Sequence, residues 1–169
     1  MRGDTRRLRL AALCQFTLPQ PPIVYYGTEV GASQVRDVRS ADGSGHPEES
    51  RLPMRWGDDQ DLDLLATYQR LIAVRRAGGS LWRAERETLV VDDERGLLAV
   101  RLRDGERSAV VILNLGTATR SLTVPDRGAL DRLVVATDET VTDDGTSVGL
   151  GPFSGAILAQ GLDPGIGVG

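Results

Sequence analysis

PQPPIVYYGTEVG, residues 19 to 31, is the stretch on which the fold turns. Pro19, Pro21 and Pro22 open it. Proline lacks an N–H and pushes the residue before it out of helical geometry, so a helix must end here. Ile23, Val24, Tyr25 and Tyr26 follow without a polar break, and Gly27 closes them. A short β-branched and aromatic run between two breakers is the pattern of a strand buried on both faces, as in a parallel sheet. Gly27 permits a tight exit turn.

Upstream, residues 5 to 17 read as a helix. Leu8, Ala11, Ala12 and Gln15 share a face, and Leu10, Leu13 and Phe16 carry apolar surface around it. A helix this broadly apolar expects burial on more than one side. A helix running straight into a buried strand implies an α/β layer. Cys14 sits in this apolar setting and is the single cysteine. It reads as a structural thiol with no disulfide partner. The single histidine, His46, lies far along the chain in a polar stretch.

Downstream, residues 32 to 60 are rich in Gly, Asp, Ser and Pro, with turn signals at Asp42-Gly43 and Gly57-Asp58. A loop so long inside a compact protein is functional or disordered. RLPMRW, residues 51 to 56, is an island of apolar anchors within it. Residues 61 to 76 form the clearest helix, because Leu64, Leu65, Tyr68, Leu71 and Ile72 follow the i, i+3, i+4, i+7 spacing. Asp61 and Asp63 suit its positive end, Arg75 and Arg76 its negative end, and Gly78-Gly79 stops it.

From Glu87 the period changes to two. Residues 88–91, 97–102, 108–113, 120–124, 133–136, 147–150 and 155–158 read as successive strands, with turns at residues 93–96, at Asp104-Gly105 and at Gly116-Thr117. The simplest architecture is a small antiparallel sandwich of about seven strands. Phe153, in the apolar run GPFSGAIL, reads as core, and residues 161 to 169 as a frayed tail.

Composition narrows the function classes. Hydrophobic content of 40% and charged content of 26% are those of a globular chain. A net charge of -4 gives no basic footprint for nucleic acid. All 20 basic residues are arginine, which we read as composition bias. Asp37, Asp42 and Glu48 invite a calcium reading, but Val38-Arg39-Ser40 breaks the alternation an EF-hand loop needs. His46 alone cannot complete a zinc site. No metal or other cofactor is expected. Arg6-Arg7 before an apolar run has the outline of an export signal, yet Arg9 and Gln15 interrupt it and no small-residue cleavage site follows. No run approaches the ~18 apolar residues of a membrane span. A cytoplasmic location is favoured on these grounds, with neither membrane nor nucleic acid as partner.

The residues at 19 to 31 resemble a segment of the α-amylase superfamily, glycoside hydrolase family 13. There a proline-rich stretch enters the eighth strand of a (β/α)8 barrel, and a Tyr-Gly-x-Glu-x-Gly run leaves it. RLPMRW at 51 to 56 resembles the Arg-x-Pro-Met-x-Trp of its exo-acting and maltogenic branches. LLATYQRLIAVRR at 64 to 76 resembles the last barrel helix, and the β-unit ending in GLGPFSGAIL at 149 to 158 resembles the C-terminal sandwich. Four motifs in the family's order cover roughly residues 5 to 160.

The resemblance implies an α+β chain in two parts. Residues 1–79 are the remnant of the barrel, comprising two helices, one buried strand and a long loop. Residues 80–160 are the antiparallel sandwich, and 161–169 a tail. It implies a parent enzyme acting on the α-glucosidic linkages of α-glucans or malto-oligosaccharides. Retaining glycosidases need two carboxyl groups about 5 Å apart. In the resembling family these acids, and a third, come from the fourth, fifth and seventh strands. Those strands fall upstream of residue 1, so no catalytic residue is assigned and the missing N-terminal barrel is the expected partner. Tyr26, Glu29, Arg51 and Trp56 are the candidate substrate-binding residues. For Glu29, sugar contact stands beside orienting a neighbour or balancing an arginine. For Arg51, contact with a sugar subsite stands beside an ion pair with Glu48 or Glu49. Trp56 either stacks on a sugar face or pins the loop.

The competing reading is a non-catalytic β-sandwich, either a carbohydrate-binding or a structural module. Sugar-binding sandwiches use exposed aromatic platforms, and from residue 84 onward the only aromatic is Phe153.

Overall fold

The computed structural model describes residues 4–33, 42, 44, 52–130 and 132–165. Two helices, α1 (Thr5–Thr17) and α2 (Leu62–Gly78), precede eight strands among the described residues. The strands are β1 (Arg86–Asp92), β2 (Leu97–Asp104), β3 (Arg107–Asn114), β4 (Arg120–Thr123), β5 (Arg132–Ala136), β6 (Thr142–Asp143), β7 (Ser147–Leu150) and β8 (Ser154–Gln160). All seven expected strands are present. The additional one, β6, is two residues long, too short for a period-two pattern to register.

Both helices begin on aspartate caps. Asp4 accepts from the Arg7 N–H, and Asp61 accepts from the Leu64 N–H at 2.8 Å, each satisfying a donor that the first turn leaves open. α2 ends where the glycine pair predicts. Gly79, at φ +51°, turns the chain and donates its N–H to the Arg75 carbonyl.

The strands form two sheets, one ordered β1-β2-β3-β8-β5 and one ordered β4-β7-β6, with every pairing antiparallel. The β2–β3 hairpin closes through Gly105-Glu106 with Asp104 opposite Arg107. Glycine at φ +62° in the first turn position is what a two-residue II′ turn demands.

The molecule has three layers. Along β3, Ala109, Val111 and Leu113 face α1 and α2, while Val110 and Ile112 face the three-stranded sheet. β8 does the same, with Ile157 and Ala159 on the helix side and Ala156 and Leu158 on the other. Burial on both faces accounts for the continuous apolar runs AVVIL and GAILA, and β2, also covered on both faces, buries Arg101 as well, whose guanidinium donates to the Pro125 and Asp126 carbonyls. The first core joins Leu10, Leu13 and Phe16 of α1 and Leu64, Tyr68 and Leu71 of α2 to the large sheet. It runs across residue 79. α1 lies so close to β8 that a Cβ on Gly155 would stand 3.0 Å from both the Ile112 carbonyl oxygen and the Leu10 Cδ1.

Several expectations meet corrections. Residues 23–26 lie in no sheet, and Ile23 is 84% exposed rather than buried. A central strand exists only with hydrogen-bonded neighbours on each side. The described residues supply helices for one flank of this segment but no adjacent strand. Phe153 packs half-buried against the helix-side core, at φ +53°, with the Arg7 guanidinium 4.0 Å above its ring. The chain does not fray directly after β8. Leu162 is buried in the helix-side core, because it is the first apolar residue beyond the strand that can reach it, and Asp163 pairs with Arg132 at 3.2 Å.

Candidate functional site

The site is built outward from residues 23–26. α1 holds the start of the segment, since Gln15 Nε2 donates to the Ile23 carbonyl at 2.7 Å. The prolines before it are held by α2. The Arg75 guanidinium donates to the carbonyls of Phe16 at 2.6 Å, Leu18 at 2.7 Å, Gln20 at 2.8 Å and Pro19 at 3.4 Å. Arg86 donates to the Thr17 carbonyl, and the Thr17 hydroxyl turns back to the Leu13 and Cys14 carbonyls. Helix ends leave four carbonyls without intrahelical donors. Two arginines and a threonine meet three of those of α1, at Cys14, Phe16 and Thr17, and fix the direction in which residues 23–26 leave.

At its far end the segment turns sharply. Gly27 sits at φ +83°, and a Cβ there would be 2.9 Å from that of Ala32. A side chain at this position is excluded twice, by conformation and by space. Thr28–Val30 forms a single 3-10 turn, closed by the Ala32 N–H to the Gly27 carbonyl at 2.8 Å. Asp61, the cap of α2, donates its N–H to the Val30 carbonyl at 3.1 Å. The turn is thereby fastened to the start of α2.

Tyr25 and Tyr26 are exposed, with ring centroids 4.7 Å apart. Tyr26 Oη donates to the Leu52 carbonyl at 3.0 Å, and Met54 packs against Gly27. The structure therefore brings the YYG turn and the RLPMRW island together. Trp56 is 74% exposed and does not pin its loop to the core. The loop is held by Gln60 instead, whose Nε2 donates to the Arg55 carbonyl at 2.8 Å. Arg51, Asp37, His46, Glu48 and Glu49 lie outside the described residues. Asp42 is described, and its carboxylate accepts from the Ser44 N–H and hydroxyl, which holds it well below the usual carboxylate range.

Glu29 is half-buried. Its Oε2 is shielded from solvent with no hydrogen-bond donor among the described residues, and no arginine pairs with it there. Its charge also helps to raise the Tyr68 phenol, after the larger effect of burial. Asp61 is committed to its cap. Among the described residues of this turn no second carboxyl faces Glu29 as a partner for acid–base work, and no cluster of three or more metal-ligating side chains occurs. Burial pushes the Cys14 thiol up, away from nucleophilic use.

Sequence reasoning missed the part played by Arg75. Its position at the end of α2 satisfies the helix dipole, and nothing in its spacing points to carbonyls more than fifty residues earlier. Gln15, read as part of the helix face, is likewise a tether for Ile23.

No family model matches the chain. It is similar to Alpha-amylase 2 of Dictyoglomus thermophilum, 33% identical over 66% of this chain and 19% of that protein. Neopullulanase 2 of Thermoactinomyces vulgaris is 31% identical over 94% of this chain and 26% of its own length. A cyclomaltodextrinase of a Bacillus species is 33% identical over 71% of this chain and 20% of that protein. The chain thus spans about a fifth to a quarter of these relatives. Among solved structures, isomaltulose synthase of Klebsiella sp. LX3 superposes with a TM-score of 0.73 over 91% of this chain and 38% of that chain, at 15% identity. The Nostoc punctiforme debranching enzyme does so with 0.71 over 94% and 32%, at 23% identity. At such identities these two superpositions speak for the fold, and the sequence relatives speak for kinship: the chain belongs to the α-amylase family.

Proposed function

We propose that this chain is the C-terminal part of a retaining glycosidase acting on α-glucosidic linkages of α-glucans or malto-oligosaccharides. The observation that carries the reading is the segment at 23–26: apolar, aimed by Arg75 and Gln15, closed by a turn that requires glycine, and without a strand beside it among the described residues. Such a segment is stable in water only when neighbouring strands cover its backbone and side chains. Residues 1–79 are then the closing piece of a (β/α)8 barrel, and residues 80–160 the sandwich that packs against it. In a barrel of this kind the ligand sits at the C-terminal ends of the strands, which is the end occupied by Tyr26, Gly27 and Glu29.

On this reading Tyr26 shapes the site and anchors the 52–54 island. Arg51, at the head of that island's motif, reaches toward the sugar subsites. Trp56, exposed as it is, offers a face for a pyranose ring. Glu29 takes a donor from the remainder of the barrel or from the sugar. The catalytic carboxyl groups belong to strands outside these 169 residues.

The test has two arms. The purified chain alone is expected to release no glucose from maltose, maltotriose or nitrophenyl α-glucoside at protein concentrations near those of substrate. A chimera in which this chain replaces the matching portion of Neopullulanase 2 is expected to hydrolyse malto-oligosaccharides. Turnover by the isolated chain that survives repurification refutes the partial-enzyme reading. A folded but inactive chimera refutes the glucan assignment. The carbohydrate-binding-module alternative gains nothing from the sandwich: Trp82 is buried, and Phe153, the single aromatic from residue 84 onward, is covered by Arg7.

A further inference from the structure

Beside the proline strap lies a cleft of about 460 Å³, lined by Phe16, Pro22 and Ile72 together with Arg75, Arg76 and Arg83. Its arginines lack a carboxylate partner among the described residues. Arg7, Arg103, Arg107, Arg127 and Arg132 each have a carboxylate partner. Arg75 is committed to backbone carbonyls. Arg76 and Arg83 are exposed and make no ion pair or hydrogen bond among the described residues. The next arginine, Arg86, also bonds only carbonyls, those of Thr17 and Trp82. These cations act on one another: burial first, then Arg83, lowers the Arg75 pKa, and burial, then Arg75, lowers that of Arg86. A chain of net charge -4 has gathered an uncompensated positive field at one apolar cleft.

We infer that this cleft receives an acidic polypeptide segment, an apolar side chain flanked by carboxylates, contributed by the part of the enzyme outside these 169 residues. The inference rests on the partial-enzyme reading above. Charge sets the sign of the occupant, because exposed unpaired guanidinium groups favour carboxylates held in forked geometry. The apolar lining sets its kind. Phe16 and the prolines run in sequence through exposed Leu18 to exposed Ile23, with Ile72 of α2 beside them, and an inorganic anion would leave that surface wet. Location sets its source. The cleft borders residues 23–26, whose missing neighbours belong to the same absent polypeptide, and the chain spans at most 26% of the three relatives it was compared with above.

The test titrates three probes into the 169-residue protein and follows arginine Nε–Hε resonances by NMR. The probes are acetyl-Glu-Trp-Glu-amide, its neutral counterpart acetyl-Gln-Trp-Gln-amide, and inorganic phosphate. The acidic peptide is expected to saturate with a Kd near ~1 mM, moving the Arg76 and Arg83 signals. The neutral peptide, and the acidic peptide against the Arg76→Gln/Arg83→Gln double variant, are each expected to bind about fivefold more weakly. Phosphate is expected not to saturate. Phosphate binding as tight as the acidic peptide overturns the proposal in favour of a small-anion site. Equal binding of the two peptides reduces the cleft to an apolar patch, and absence of saturable peptide binding removes the site. Activity of the chimera is read separately. An active chimera without peptide binding removes only this inference, and peptide binding beside an inactive chimera removes only the glucan reading.

Discussion

Replacing Arg75 by methionine is the sharpest perturbation of the elements that aim residues 23–26. Methionine keeps much of the apolar stem and removes the five donors of the guanidinium. Three carbonyls, those of Phe16, Leu18 and Gln20, lose donors at 2.6 to 2.8 Å, and Pro19 loses a longer one at 3.4 Å. A hydrogen bond to a charged group contributes about 1.5–3 kcal/mol when removed from one side. The Leu18 and Gln20 carbonyls are exposed, so water replaces most of what they lose. Those of Phe16 and Pro19 are partly buried and recover less. The expected destabilisation is therefore about 2–3 kcal/mol, read as a lower urea midpoint at unchanged m-value. Hydrogen exchange should lose protection first at the end of α1, while β3 and β8 stay protected. Arg75→Lys should recover less than half, because a compact ammonium cannot span carbonyls that a planar fork reaches together. A methionine variant within about 0.5 kcal/mol of the parent would falsify the view that this guanidinium organises the strap.

Two further outcomes concern the sandwich. Arg127 and Asp143 form a two-pronged pair at 2.8 and 2.6 Å, with side chains 12% and 13% exposed, and the pair holds the Asp143 carboxyl well below its usual range. Asp143→Asn should cost about 2–3 kcal/mol at neutral pH. A lowered folded-state pKa stabilises the fold above the ordinary value of about 4 and is lost as pH falls through the lower native value, so parent and variant midpoints should converge in acid. Asn114 is fully buried, donating to the carbonyls of Gly151 at 2.7 Å, Ala118 at 2.9 Å and Leu150 at 3.2 Å while accepting from the Gly116 N–H at 3.0 Å. Asn114→Ala should lower stability by about 2 kcal/mol in thermal or urea unfolding, since it removes the side-chain donor of the buried Leu150 carbonyl and leaves the Gly151 carbonyl with the Ser154 hydroxyl.

Much of the local structure was legible in the sequence because it is set by nearest neighbours. Proline and glycine ended α1 and α2 where expected, and Asp61 reads as an acid at the positive end of α2, whereas the Asp4 cap of α1 goes unread. The site was less legible. Tyr26 and the island at 52–54 read as separate motifs in the sequence, and the structure joins them through the hydrogen bond from Tyr26 to Leu52 and the packing of Met54 on Gly27. Glu29 read as a possible partner for an arginine, yet its buried oxygen meets no donor among the described residues. Its environment depends on chain that lies beyond local reach.

The sequence by itself determined the elements, their order and the family motifs, because hydrophobic period, caps and breakers act over a few residues. Only the tertiary structure decided the layering. AVVIL in β3 and GAILA in β8 are apolar whichever surface they meet, and no local pattern says that one face meets a second sheet and the other meets α1 and α2. It alone decided that residues 23–26, written as a buried strand, stand uncovered. Period and composition report what a segment needs, and the presence of neighbours to meet that need is a property of chain far away in sequence.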